Sequence, residues 1–176
     1  MKAATSDRTR VSASGARSGL RVVAEDGIVA GIAGAAAVSV VFLLLDFARG
    51  QPFFTPSLLG SVIFRGQLVF ESSTPDPAMV FAYTGLHGLV FLFVGFLLAG
   101  LFREFEEHPK LGLELLVVLL VFQGLLIGAE VTVFPALVGE LGAWAVATAN
   151  IVSLIAMFAV LAYRHPRAIK ALRESE

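Results

Sequence analysis

Four stretches of this chain are apolar almost without interruption: 27–48, 78–102, 111–138 and 141–163. A helix needs roughly 20 mostly apolar residues to cross the hydrocarbon core of a bilayer. Each stretch meets that length, and each is too uniformly apolar for an amphipathic helix on a soluble surface. The pattern predicts an all-α protein, a four-helix transmembrane bundle. The first stretch follows a basic segment, as a secretory signal would. Its apolar core exceeds the ~7–15 residues of a signal peptide and no small-residue cleavage site stands out, so it reads as an uncleaved anchor.

The segments between the spans carry their own signals. In 50–77 the dipeptide Thr55-Pro56 reads as an N-cap followed by proline at the first helical position. From there Leu58, Leu59, Val62, Ile63, Val69 and Phe70 fall on one helical face, with Ser57, Ser61 and Arg65 on another. This predicts an additional amphipathic interfacial helix over about 56–70, roughly 20 Å long and too short to span. Residues 72–77 then form a polar turn. Gly27, Gly31 and Gly34 open span one at a spacing that lets helix backbones approach closely, either within the chain or at a homodimer face. His108-Pro109 and His165-Pro166 each read as a helix stop, with histidine complementing the C-terminal dipole. Pro135 ends or kinks span three, and the short turn at Gly139-Glu140 makes spans three and four antiparallel neighbours. The organisation that follows is a flexible basic tail over 1–24, a transmembrane domain over 25–166 and a second tail over 167–176.

Composition agrees and adds exclusions. Of 176 residues, 57% are apolar, with seventeen glycines besides, and 15% are charged. Soluble domains carry nearer a quarter charged residues. Thirteen basic against fourteen acidic side chains leave no basic footprint for nucleic acid. The absence of cysteine removes disulfides, thiolate metal sites and a thiol nucleophile. Basic residues cluster in the two tails and at Arg103 and Lys110, against only Arg49 and Arg65 on the other side. By the positive-inside rule both termini are cytoplasmic and the protein is multi-pass in the cell membrane.

Candidate chemistry lies in the polar residues inside the spans. At 1.5 Å per residue, Asp46 lies ~5 Å from the outer end of span one, with His87 ~15 Å, Glu130 ~12 Å and Asn150 ~13 Å below the outer surface. Ser39 with Asp46, and Gln123 with Glu130, are seven residues apart and share helical faces. Tyr83 and Thr84 share the His87 face. An ionisable group facing lipid costs at least ~2.5–3.5 kcal/mol, so these stripes turn inward. The expected site is therefore a polar cluster in the outer half: His87 and Glu130 at its centre, Asn150, Gln123 and Tyr83 around them. Asp46 with Arg49 or Arg65 guards the mouth under the interfacial helix.

Three functions fit such a cluster: binding of a small molecule, proton or ion; a structural polar core in an accessory subunit of a larger membrane complex; or a metal or haem redox site using His87, Glu130 and Asp46. No cofactor is specified. The partners implied are membrane lipid and a homo-oligomer or larger complex, and transport by so few spans would need oligomers. No G-x-S-x-G, P-loop or H-E-x-x-H motif appears.

The run Asp46-x-x-x-Gly50-x-Pro52-Phe53-x-Thr55-Pro56-Ser57-x-Leu59-Gly60 resembles a pattern in uncharacterised four-span integral membrane proteins of bacteria. His87, Glu130 and the stretch from Trp144 to Asn150 look like further fixed points of that group. The resemblance covers about residues 27 to 166. It implies the architecture and a bacterial inner membrane, with no activity attached.

Overall fold

The computed structural model describes residues 3–67, 74–108 and 141–166, with isolated positions 117, 120, 121, 124, 125, 128, 132 and 139; side chains are described from Gly19 onward. Four helices are laid out in full: α1 (Ala3–Ala48), α2 (Phe54–Arg65), α3 (Pro77–Glu107) and α4 (Ala143–Arg164). Among the described residues there is no strand. Three segments are long and apolar enough to cross a membrane, Gly19–Ala48, Pro77–Glu107 and Ala143–Arg164, which marks the chain as a membrane protein. The isolated positions are helical and exposed, three or four residues apart for the most part. The predicted third span (111–138), its Gln123, Glu130 and Pro135, the positions Val69 and Phe70, and the tail over 167–176 lie outside the described residues.

Helix α1 packs between α3 and α4. Glycine makes the first of these contacts possible. A Cβ at Gly95 of α3 would come within 2.7 Å of the Gly31 amide nitrogen, and one at Gly31 within 2.6 Å of the Phe91 carbonyl oxygen. The two backbones therefore touch along Gly27 and Gly31 on one side and Gly95 on the other. Lipid is as apolar as leucine, so close van der Waals approach of this kind, rather than water exclusion, holds spanning helices together. Gly34 turns instead to Met157 of α4 and Phe91 of α3. Of the two uses open to this glycine face, packing within the chain is the one observed. Ala30, Leu98, Ala99, Phe102, Phe105, Met157 and Leu161 form the core, and Phe102 meets Phe158 edge-on at 5.3 Å.

Helix ends follow local chemistry. Asp76 caps α3: its Oδ1 accepts the Ala78 amide at 2.9 Å, with Pro77 in the first turn. His108 and His165 are the C-caps of α3 and α4, where their amides donate to Glu104 and Leu161. The connection into α4 is sharpest at Gly142, whose φ of 87° suits glycine, whereas Gly139 is still helical. Helix α1 begins at Ala3, so helical backbone runs back through the segment that the sequence assigns to a tail.

Helix α2 differs from its expected bounds at both ends. It starts at Phe54, with Phe53 as N-cap in the left-handed region (φ 64°), so Thr55 and Pro56 lie inside its first turn. It ends at Arg65 because Gly66 (φ 65°) closes a Schellman-type cap: Gly66 donates to Val62 and Gln67 to Ser61. Its buried side is small and polar (Thr55, Ser57, Gly60, Ser61, with Leu58), while Ile63 and Phe64 are exposed. Gly60 abuts the backbone of Met79 in α3, bringing α2 hard against that helix.

The glycine contact yields a paired test. Gly95→Ala should destabilise the protein by about 1–3 kcal/mol, the usual cost of overpacking. Gly85→Ala on the same helix, where an added methyl meets open space among the described residues, should be neutral or stabilising by up to ~1 kcal/mol. Thermal unfolding in one detergent compares them, and equal effects would mean that the α1–α3 backbones are further apart than described.

Candidate functional site

Asp46, the carboxylate in an apolar run, is fully buried, and both of its oxygens are engaged by one residue. Oδ2 accepts the Thr55 amide at 2.8 Å and Oδ1 the Thr55 hydroxyl at 2.7 Å. The last turn of α1 thus caps the first turn of α2 across nine residues. A carboxylate here also complements the positive end of the α2 dipole. The reverse turn between them, Gly50 (φ 72°) and the Asp46 carbonyl receiving the Gln51 amide, makes that approach possible. Phe53 keeps its left-handed backbone at a cost of about 1 kcal/mol.

Helix α2 is tied to the start of α3 as well. Near its beginning Ser57 Oγ accepts the Asp76 amide at 2.9 Å, and at its far end Arg65 pairs with Asp76 Oδ2 at 2.8 Å. These residues border a small polar pocket of about 140 Å³. The Ala78 amide, first, and then Arg65 hold the Asp76 carboxyl below its ordinary 3.8. Pinned at both ends, α2 lies across α1 and α3.

Under α2 lie two adjoining cavities. The larger, about 340 Å³, is lined from α1, α2, α3 and α4 and has Tyr83, His87 and Asn150 among apolar walls that include Phe42, Ile63 and Val146. The smaller, about 240 Å³, adds Ser39, Thr55 and Thr84. Val38, Phe42, Tyr83 and His87 line both. The His87 ring is held between Tyr83 and Phe91, with ring centres 5.5 and 4.7 Å away, and its Nε2 donates to the Ala35 carbonyl of α1 at 3.3 Å. Thr84 donates its hydroxyl to the Val80 carbonyl. Pockets of this size, mostly apolar with a few fixed polar groups, are the common form of small-molecule sites.

The structure therefore brings three of the expected site residues, His87, Tyr83 and Asn150, to one cavity. Asp46 is not on its wall and spends both oxygens on Thr55. Arg49 is exposed, and Arg65 serves the α2–α3 junction. Glu130 and Gln123 lie outside the described residues, and among those that are described no group of three or more His, Asp or Glu side chains could hold a metal ion.

One polar cluster escaped the sequence reading. Toward the opposite end of the spanning part of α1, buried Asp26 receives Arg164 on Oδ1 and His165 Nε2 on Oδ2, the latter at 2.8 Å. The other ring nitrogen of His165 meets Glu106 Oε2 at 3.0 Å. Asp26 stands just before the apolar run of span one, where it reads as a flank. The signal available was its match to the basic pair at the end of span four. No family model matches the sequence, and neither a curated protein nor a solved structure gives a match.

Two outcomes are expected from this geometry. Asp46→Ala leaves the buried Thr55 amide and hydroxyl without their acceptor and should cost about 3 kcal/mol, whereas Asp46→Asn, whose amide can serve both contacts, should cost less than about 1.5 kcal/mol. Denaturant unfolding decides, and equal losses would show that the charge itself is required. Because the Asp76 value is lowered in the folded protein, its contribution is complete above the ordinary carboxylate range and is lost as pH falls through the lowered native value. Asp76→Asn should therefore flatten the fall in unfolding temperature between about pH 5 and pH 2 relative to the parent.

Proposed function

We propose that this chain is a four-span protein of the bacterial cell membrane, both termini cytoplasmic, that binds a small molecule in a cavity in its outer half. Residues 111–138 supply the fourth span in this reading, on length and apolarity. The orientation rests on the basic tails. Helix α2 is the interfacial lid: its exposed Phe64 suits acyl chains, Ile63 borders the cavity, and its small polar side faces the protein. The observation that carries the reading is the meeting of His87, Tyr83 and Asn150, from α3 and α4, in one apolar cavity roofed by α2. Ionisable groups within spanning segments mark functional sites by default.

The accessory-subunit reading draws on glycine faces for docking. Gly27, Gly31 and Gly95 are occupied by packing within the chain, which leaves that reading weaker support. The metal and redox reading needs Glu130 and rests on the sequence alone.

The test is occupancy. Protein extracted in mild detergent should carry a stoichiometric small molecule, identified by mass spectrometry of the organic extract. Val38→Phe, which adds volume to the wall shared by both cavities, should lower that occupancy at least tenfold while the unfolding temperature of the ligand-free protein stays within a few degrees of the parent. A species equally abundant in both proteins, or none above empty micelles, would sink the proposal.

A further inference from the structure

The charged group around Asp26 takes no part in the binding reading above, and it sits where three spanning helices meet. Asp26 belongs to α1, Glu106 to α3, and Arg164 with His165 to the end of α4. Asp26 and His165 are both buried. Each nitrogen of the His165 ring meets a carboxylate oxygen: Nε2 meets Asp26 Oδ2 at 2.8 Å, and Nδ1 meets Glu106 Oε2 at 3.0 Å. Arg164 takes the remaining oxygen of Asp26. The neighbouring ionisable groups, Arg21 with Glu25, Arg103 with Glu107 and Glu104 with His108, pair one turn apart within their own helices.

An ionised carboxylate only accepts hydrogen bonds, whereas a neutral imidazole has one N–H and one lone pair. With a neutral ring between two carboxylates, one nitrogen would turn its lone pair on an oxygen lone pair at hydrogen-bond distance, which repels. Both contacts together therefore need one more proton, carried on the ring or on one of the two carboxyls. That count is set by the ring itself, because both of its nitrogens are engaged. We infer that this group is a proton-dependent latch: one bound proton joins Asp26, His165 and Glu106 and ties the end of α4 to α1 and α3. Loss of the proton breaks one of the two contacts and leaves a carboxylate without its donor, which frees α4 at this end. The latch stands on the side of the spanning helices away from α2, the cytoplasmic side in the orientation proposed above, so it answers to the pH of that compartment.

Folding then takes up one proton that the unfolded chain does not hold above about pH 7.5, where an ordinary histidine is neutral. The folded-to-unfolded ratio of the parent, from denaturant unfolding in detergent, should accordingly fall about tenfold per pH unit above that value, until the native group gives up the proton. Glu106→Gln removes the need for the proton and keeps the bond, since its amide can donate to Nδ1 of a neutral ring. Its ratio should stay level between about pH 7.5 and pH 9. Release is read separately. The chain has no cysteine, so Leu20→Cys with Tyr163→Cys, both exposed positions, places one spin label on α1 and one on α4. In lipid nanodiscs, whose two faces share one buffer, their separation should widen with rising pH in the parent and stay fixed in Glu106→Gln. If Glu106→Gln does not accumulate, His165→Gln, which has no titratable ring, takes its place with the same level profile expected. Identical pH profiles in parent and variant, a label separation in the parent that ignores pH, or a Glu106→Gln protein already open at about pH 7.5 overturns the latch. Each of these results leaves the cavity reading untouched.

Discussion

The paired acceptance of the Thr55 amide and hydroxyl by Asp46 is the contact on which the α2 end of this protein depends. An unpartnered carboxylate at the end of an apolar helix would be expelled or protonated. Engaged on both oxygens, it becomes the fastening that turns the chain back over itself. Without it α2 would be a short amphipathic helix held only through Ser57, Gly60 and Arg65 on the α3 side. With it, α2 is clamped to both neighbours, and the space beneath it is bordered by four helices.

The same economy appears toward the other end of the spanning part of α1. Asp26 is again a buried carboxylate with two donors, but those donors come from the far end of α4, and Glu106 of α3 completes the group through His165. One helix thus carries an acid near each end of its spanning part. Each acid ties α1 to what packs on it: a local segment at one end, a distant helix at the other. Between them the glycine contacts set the spacing of α1 and α3. Polar bonds at the ends fix the register of helices whose lipid-facing surfaces have no preference for one register over another.

Much of the architecture was legible because bilayer thickness makes span length a direct reading of the sequence; the three spanning helices fall where apolar runs of sufficient length stand. The convergence of His87, Tyr83 and Asn150 was also legible, since each sits on the polar stripe of its helix and such stripes avoid lipid. The partners were not. His87 bonds a backbone carbonyl, which carries no trace in side-chain identity, and Asp46 bonds a residue whose own cap signal suggested self-sufficiency. The end of α2 was misjudged because Val69 and Phe70 continue its apolar period beyond Gly66, and a glycine that can take positive φ outweighs a matching period. Asp26 was hidden by its place at a span boundary, where a charge reads as a flank until the facing Arg164 and His165 are brought to it by the fold.

The core between the two acids has a consequence for traffic. Ala30, Leu98, Ala99, Phe102, Met157 and Leu161 fill the middle of the described helices with closely fitted hydrocarbon. Among the described residues, that layer offers no chain of donors and acceptors along which water or protons could travel from the α2 chamber to the Asp26 end. Among the described helices, the chamber under α2 and the charged group around Asp26 are thus set apart by a dry apolar layer.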